Sequence, residues 1–296
     1  MKIMQKSLLG ICKPRINMIL SLVAGLSVFL SVSLYAQQQN SAADYINRGN
    51  QYFSGGKLNE AIAEYTRAIA LEPNNAGLIL QRGIAYGMSG ELSKSVEDFS
   101  HSIELDPAVP EAYFSRALAY ERLGEKDKAV ADYGKAIEVD PGYAEAYYNR
   151  GTVYNKKGMY SVAMEDYQQA IRIRPDYAKA YFNLGVCYSA LENNNMALRS
   201  YTRAIELQPE FKDAYFNRGR VYYDENRFYE AVDDFKKTVK IDSTDANGYY
   251  NLAATLEWID RKTEAKAAYL EYIRFAPPSD SSRVRALKDK LEQMKK

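Results

Sequence analysis

A period of 34 residues governs this chain. Small residues recur at Gly49, Gly83, Ala117, Gly151, Gly185, Gly219 and Ala253, each 34 positions after the last. Twelve places further on stands a second small set: Ala61, Ser95, Ala129, Ala163, Ala197, Ala231 and Ala265. Aromatic residues keep the same phase, with Tyr45, Tyr113, Tyr147, Tyr181, Tyr215 and Tyr249 followed seven places later by Tyr52, Tyr120, Tyr154, Tyr188 and Tyr222, then Leu256. Prolines close the units at Pro73, Pro107, Pro141, Pro175, Pro209 and Pro277. Such a period requires stacked units, because one supersecondary unit cannot bury its own apolar face.

Within a unit the apolar spacing is helical, as in Tyr181, Leu184 and Tyr188 and then Ala197, Tyr201 and Ala204. Turn residues such as Gly124-Glu125-Lys126 and Lys157-Gly158 separate the two runs. The small places allow two antiparallel helices to approach closely. The prolines stop the second helix, since proline lacks an N–H and restricts the residue before it.

This pattern resembles the tetratricopeptide repeat family over residues 42–279, seven units in phase without insertion. The resemblance implies an all-α, right-handed solenoid of seven helix pairs with the first helices lining a concave groove. The units fall at 42–75, 76–109, 110–143, 144–177, 178–211, 212–245 and 246–279, followed by a capping helix in 280–296. Asp280 or Ser281 can cap that helix, and Val284, Leu287, Leu291 and Met294 form its apolar stripe. Departures gather near the C-terminus: Ser243 replaces a closing proline, Thr238 and Tyr272 stand where alanines stand elsewhere, and Leu256 replaces an aromatic. They predict looser packing there.

An internal comparison predicts ion pairs. Arg48, Arg82, Arg116, Arg150 and Arg218 share one place on the first helix, and their units carry Glu64, Asp98, Asp132, Asp166 and Asp234 on the second. Where the arginine becomes Leu184 or Leu252, the acid becomes Ser200 or Ala268. The substitution pairs only within a unit, so five intra-unit pairs are expected, each worth roughly 0–1 kcal/mol if exposed.

The 296 residues carry a formal charge of +1. Residues 1–36 hold Lys2, Lys6, Lys13 and Arg15 and no acid, which leaves 35 basic and 38 acidic residues in the remainder. That balance gives no electrostatic basis for binding nucleic acid. Residues 281–296 are locally basic, as a solvated capping helix would be. Residues 18–36, MILSLVAGLSVFLSVSLYA, are uncharged and mostly apolar. Behind a basic leader they read as a cleaved signal peptide or a retained membrane anchor, either of which sends the repeats out of the cytoplasm. A polar linker, residues 37–41, follows. A periplasmic or envelope location is expected. Cys187 lies at an interior place and reads as a small core residue; with Cys12 in the leader, no disulfide framework forms in the remainder.

Signals of catalysis are nearly absent. His101 is the only histidine and occupies a variable, exposed place where Arg67, Lys135, Gln169 and Arg203 stand in other units. One histidine and one cysteine beyond the leader cannot build a His/Cys metal cluster. The glycines belong to the repeat rather than to a phosphate-binding loop. No catalysis, cofactor or metal is expected.

A ladder does stand out. Asn149, Asn183, Asn217 and Asn251 occupy one place on successive first helices, beside Phe114, Tyr148, Phe182, Phe216 and Tyr250. The resemblance places both rows on the groove. Amides offer a donor and an acceptor to an extended peptide backbone, and rings offer apolar contact at low entropic cost. The same residues also suit the repeat itself. Units four to six differ at Thr152, Val186 and Arg220, at Asn155, Ser189 and Tyr223, and at Glu145, Lys179 and Asp213. This variation centres a selective groove there, with Arg220 and Tyr223 choosing side chains. Ile46, Leu80 and Phe114 stand where the family's two-carboxylate clamp has its first lysine, which argues against that ligand. The expected function is a protein-binding or peptide-binding scaffold; the alternative is a structural spacer or self-associating element with an empty groove.

Overall fold

The computed structural model describes residues 41–293. The expectations for residues 1–36 and for Met294 lie outside the described residues. The described chain is helical, in consecutive pairs: α1 (Ala42–Ser54) with α2 (Leu58–Leu71), α3 (Ala76–Ser89) with α4 (Leu92–Leu105), α5 (Pro110–Arg122) with α6 (Lys126–Val139), and α7 (Ala144–Lys156) with α8 (Tyr160–Ile173). There follow α9 (Ala178–Ala190) with α10 (Asn194–Leu207), α11 (Lys212–Asp224) with α12 (Phe228–Ile241), α13 (Ala246–Trp258) with α14 (Lys262–Phe275), a short 3₁₀ turn (Pro278–Asp280) and α15 (Ser281–Gln293). They form two compact units, one ending at Pro107 and the other beginning at Ala108. Within each unit, helices pack against their pair partner and against the next pair.

Local chemistry sets the helix ends. Ser41 and Asp44 form a reciprocal cap at the start of α1, each side chain accepting the other's backbone N–H at 3.2 and 2.8 Å. The second helices end two residues before the closing prolines, as α2 does at Leu71 before Pro73. Unit six keeps this end at Ile241 without a proline, because Asp242 Oδ1 accepts from the backbone N–H and hydroxyl of Thr244 at 3.0 and 2.8 Å. Between paired helices the chain passes through a left-handed residue every 34 positions: Gly56, Gly90, Gly124 and Gly158, then Glu192, Asn226 and Asp260.

Each pair closes over one buried ring from its second helix, among them Tyr65, Phe99, Tyr133, Tyr167, Tyr201, Phe235 and Tyr269. The small residue of the first helix lies against that ring. A Cβ on Gly185 would come within 2.7 Å of Tyr201 Cε1, and one on Gly83 within 2.7 Å of Phe99 Cε1. Close approach therefore selects glycine at these places, while Ala117 and Ala253 are accommodated fully buried. Cys187 is buried as expected, and burial pushes its thiol up to about 11, away from the thiolate form. His101 is exposed, also as expected.

All five expected ion pairs form. The N–O separations are 2.8 Å for Arg48–Glu64, 2.7 Å for Arg82–Asp98, 2.7 Å for Arg116–Asp132, 2.7 Å for Arg150–Asp166 and 2.8 Å for Arg218–Asp234. Their setting differs from the exposed one considered from sequence: the carboxylates are buried beneath the arginines. Desolvation makes the loss of one partner costlier than at a surface pair. In unit five the acid's replacement, Ser200, bonds instead to the Met196 carbonyl at 2.8 Å.

The C-terminal end is not loosened. Thr238, Tyr272 and Leu256 are all buried. The Tyr272 hydroxyl donates to Asp280 Oδ2 at 2.7 Å, and its ring lies 5.2 Å from that of Tyr250. The larger side chain meets Tyr250 much as the ring that closes other units, Tyr143, Tyr177 or Phe211, meets the equivalent aromatic there. Asp280 also accepts from Arg283 at 3.2 Å. Leu287 and Leu291 are buried on the last pair, Val284 packs beside them, and Lys290 reaches Glu257 at 2.6 Å.

Candidate peptide groove

The candidate residues lie on first helices of the unit that begins at Ala108. Within it α9 touches both α7 and α11, so these first helices run side by side and their equivalent places form rows.

The asparagine row is partly committed to the fold. Asn149, Asn217 and Asn251 each donate to a carbonyl one turn back, those of Glu145, Asp213 and Asn247, at 2.9, 2.8 and 2.8 Å. Asn183 donates instead to the Tyr148 hydroxyl at 3.2 Å, joining α9 to α7. An amide has two donor hydrogens and an acceptor oxygen, so each retains capacity for a ligand.

The aromatic row is half-buried and packs into the repeat. Phe114 lies 5.6 Å from Tyr133 and 4.9 Å from Tyr143 between ring centroids. Tyr148 sits likewise between Tyr167 and Tyr177, and Phe182 between Tyr201 and Phe211. Phe216 meets Phe235 at 5.9 Å, and Tyr250 carries the Arg283 guanidinium 4.9 Å from its centroid. These contacts lie within single repeat units, and the rings keep part of their surface exposed.

The places beside the rows explain the differences between units. Buried tyrosines of the second helices direct their hydroxyls to first-helix residues: Tyr133 to Glu121 at 2.7 Å, Tyr167 to Thr152 at 3.4 Å and Tyr269 to Glu257 at 2.9 Å. Ser189 lies near enough to the Tyr201 hydroxyl to offset part of the effect of its burial. Burial, first of all, raises the pKa of each of these hydroxyls. In unit six the ring is Phe235, which has no hydroxyl, and the corresponding first-helix residues are Arg220 and Tyr223. Both are exposed. Arg220 is close enough to Tyr201 that its charge offsets part of the burial effect on that hydroxyl.

Of the other variable places, Thr152 donates to the Tyr148 carbonyl at 2.9 Å, and Val186 packs into the core. Asn155 lies near enough to the Tyr167 hydroxyl to offset part of the effect of its burial. Glu145 is paired with Arg174, while Lys179 and Asp213 are exposed. The groove's uncommitted side chains therefore concentrate at unit six.

Two residues missed from sequence extend this patch. Tyr223 meets Phe228 edge-on at 5.4 Å, and Phe228 meets Trp258 at 5.8 Å. Trp258, the only tryptophan, is 67% exposed. Its signal was available in the repeat, where Met88, Arg122, Lys156, Ala190 and Asp224 hold the same place.

Paired helices stacked through regular small and aromatic places define a helical-repeat protein. A TPR repeat family model matches residues 49–90, 122–158, 151–192 and 219–257, and two tetratricopeptide repeat models match residues 178–211 and 80–137. The chain belongs to the tetratricopeptide repeat family. No curated protein matches the chain. Among solved structures it is similar to YrrB, described as a TPR protein with an unusual peptide-binding site, at 28% identity and a TM-score of 0.56 over 66% of this chain and 99% of that one. It is similar to MamA at 28% identity and a TM-score of 0.53, over 57% of this chain and 92% of that one. The pilF protein of Pseudomonas aeruginosa, at 16% identity and a TM-score of 0.62 over 73% of this chain and 97% of that one, shares the fold.

Proposed function

We propose that this chain is a non-catalytic scaffold outside the cytoplasm that holds an extended stretch of a partner protein along units four to six. Arg220 and Tyr223 choose side chains, with Phe228 and Trp258 extending the apolar platform. Asn149, Asn183 and Asn217 offer their remaining amide groups to the partner's backbone, beside the exposed edges of Tyr148, Phe182 and Phe216. Phe114, Tyr250 and Asn251 continue the rows at either end. The observation that carries this reading is the exposure of Arg220 and Tyr223 in unit six, whose buried ring, Phe235, has no hydroxyl for them to satisfy. An exposed aromatic and arginine together are the residue types that dominate binding energy at interfaces. The similarity to YrrB, with its peptide-binding site, supports the same reading. The basic leader and uncharged run of residues 18–36 support export.

The test is capture of envelope proteins by the full chain and by an Arg220→Ala/Tyr223→Ala variant, whose fold is checked by circular dichroism. A partner retained by the first and lost by the second is expected, as is a change in Trp258 emission on binding. Equal capture by both removes the groove from the interaction. A monomer at all concentrations argues against the self-associating alternative, whereas mass that rises with concentration and no captured partner favours it.

A further inference from the structure

A second polar site lies between α10 and the end of α11, in a cavity of about 480 Å³. Its wall on α10 is a single helical face: Asn195, Leu198, Arg199, Thr202, Arg203 and Glu206, at intervals of three and four. Tyr222 and Arg227 complete it. Three guanidinium groups thus face one space that holds a single carboxylate.

The hydrogen-bonding inventory specifies what can enter. Arg203 gives one N–H to Glu206 at 2.8 Å, and Arg227 gives its Nε–H to Glu230 at 2.9 Å, so each keeps further donors. Arg227 is held over the Tyr222 ring at 4.3 Å, which fixes its plane. Arg199 makes no ion pair with a described residue. Thr202 already accepts from Arg218 at 2.9 Å, which leaves its hydroxyl hydrogen free to donate. The lining is therefore rich in donors and poor in acceptors, and its complement is an anion presenting several oxygens.

Arg199 is also anomalous in the repeat. Its place holds Ala63, Glu97, Ala131, Glu165, Asp233 and Ala267 in the other units. An acid or a neutral residue suffices for the fold there, so the arginine answers to something other than stacking.

We infer that this cavity binds an acidic segment of a partner protein, with adjacent aspartate or glutamate side chains seated on Arg199, Arg203 and Arg227. Guanidinium forks match carboxylates in bidentate geometry, and the spacing along α10 offers successive carboxylates separate forks. This inference rests on the reading of the chain as a protein-binding scaffold, but it uses different residues from those of the groove.

The test is titration of the full chain with a fluorescent hexaglutamate peptide at low salt, alongside a hexaglutamine peptide. Saturable binding of hexaglutamate alone is expected, weakening as salt is raised. Arg199→Glu, an exposed substitution that leaves the melting midpoint unchanged, is expected to weaken binding by more than about tenfold. The Arg220→Ala/Tyr223→Ala variant is expected to bind hexaglutamate as the unaltered chain does, which separates this site from the groove. Failure of hexaglutamate to bind, equal binding by the Arg199→Glu variant, or loss in the groove variant overturns the inference. Displacement by inorganic phosphate at concentrations no higher than the peptide's overturns the assignment to carboxylates in favour of phosphate.

Discussion

Arg218 holds Asp234 through two parallel hydrogen bonds, Nε to Oδ2 at 2.8 Å and Nη2 to Oδ1 at 2.8 Å, over an aspartate that is 4% exposed. Removing the arginine alone leaves that carboxylate buried without its partner. Arg218→Leu is expected to cost about 2–3 kcal/mol, below the full value for a buried pair because the guanidinium is partly solvated. The double variant Arg218→Leu/Asp234→Ser reproduces the Leu184 and Ser200 of unit five. It should be more stable than Arg218→Leu alone, with a coupling above about 1 kcal/mol in a denaturant-unfolding cycle. Simple additivity would refute the coupling.

Gly185 sits against the face of Tyr201, where an added Cβ meets ring carbons at 2.7 and 2.8 Å. Gly185→Leu must part α9 from α10, at a cost on the order of 1–3 kcal/mol or more. Repeat stability propagates through neighbours, so hydrogen exchange should accelerate first in residues 144–245 and last at the far end of the same compact unit. A uniform acceleration through that unit would contradict nearest-neighbour coupling.

Glu192 has φ at 59° in the turn where the first four units place glycine. A side chain in this region is strained by contact of Cβ with the backbone. Glu192→Gly is expected to raise stability by about 1 kcal/mol, read as a higher melting midpoint. Asn226→Gly should gain less, because asparagine tolerates the left-handed conformation better.

Asp242 is held down to about 2, first by the hydrogen bond from the Thr244 hydroxyl and then by that from Lys212. A carboxyl depressed in the folded chain contributes stability above its unfolded value, and that contribution is lost as pH falls through the folded one. Asp242→Asn should therefore be less stable than the unaltered chain at neutral pH. The gap should close between about pH 4 and pH 2. Denaturant midpoints measured across that range test this, and a gap that persists at pH 2 would assign the effect to something other than ionisation.

Much of this architecture was legible before any coordinates. The 34-residue phase fixed the helix pairs, and the joint substitution of arginine and acid in units five and seven revealed the ion pairs. The helix pair repeats seven times, so chance variation at one place is corrected by the other six. The packing at the C-terminus was not legible. A tyrosine where alanine is usual reads as a defect until the ring of Tyr272 is seen beside Tyr250, bonded to Asp280. The candidate groove was legible as rows but not as an inventory of free groups: Thr152 and Val186 vary between units, yet both are engaged within the fold.

By itself the sequence determined the repeat, its pairing of helices and the arginine–acid pairs, because a fixed period restricts which side chains can meet within a unit. Tertiary structure decided which polar side chains remain available. Availability depends on partners from other helices, as when Asn183 reaches Tyr148 or the hydroxyl of Tyr167 reaches Thr152. Arg220 and Arg199 are each the one arginine at their place in the repeat. Only their surroundings show that one lies exposed beside an apolar aromatic patch and the other lines a cavity of donors.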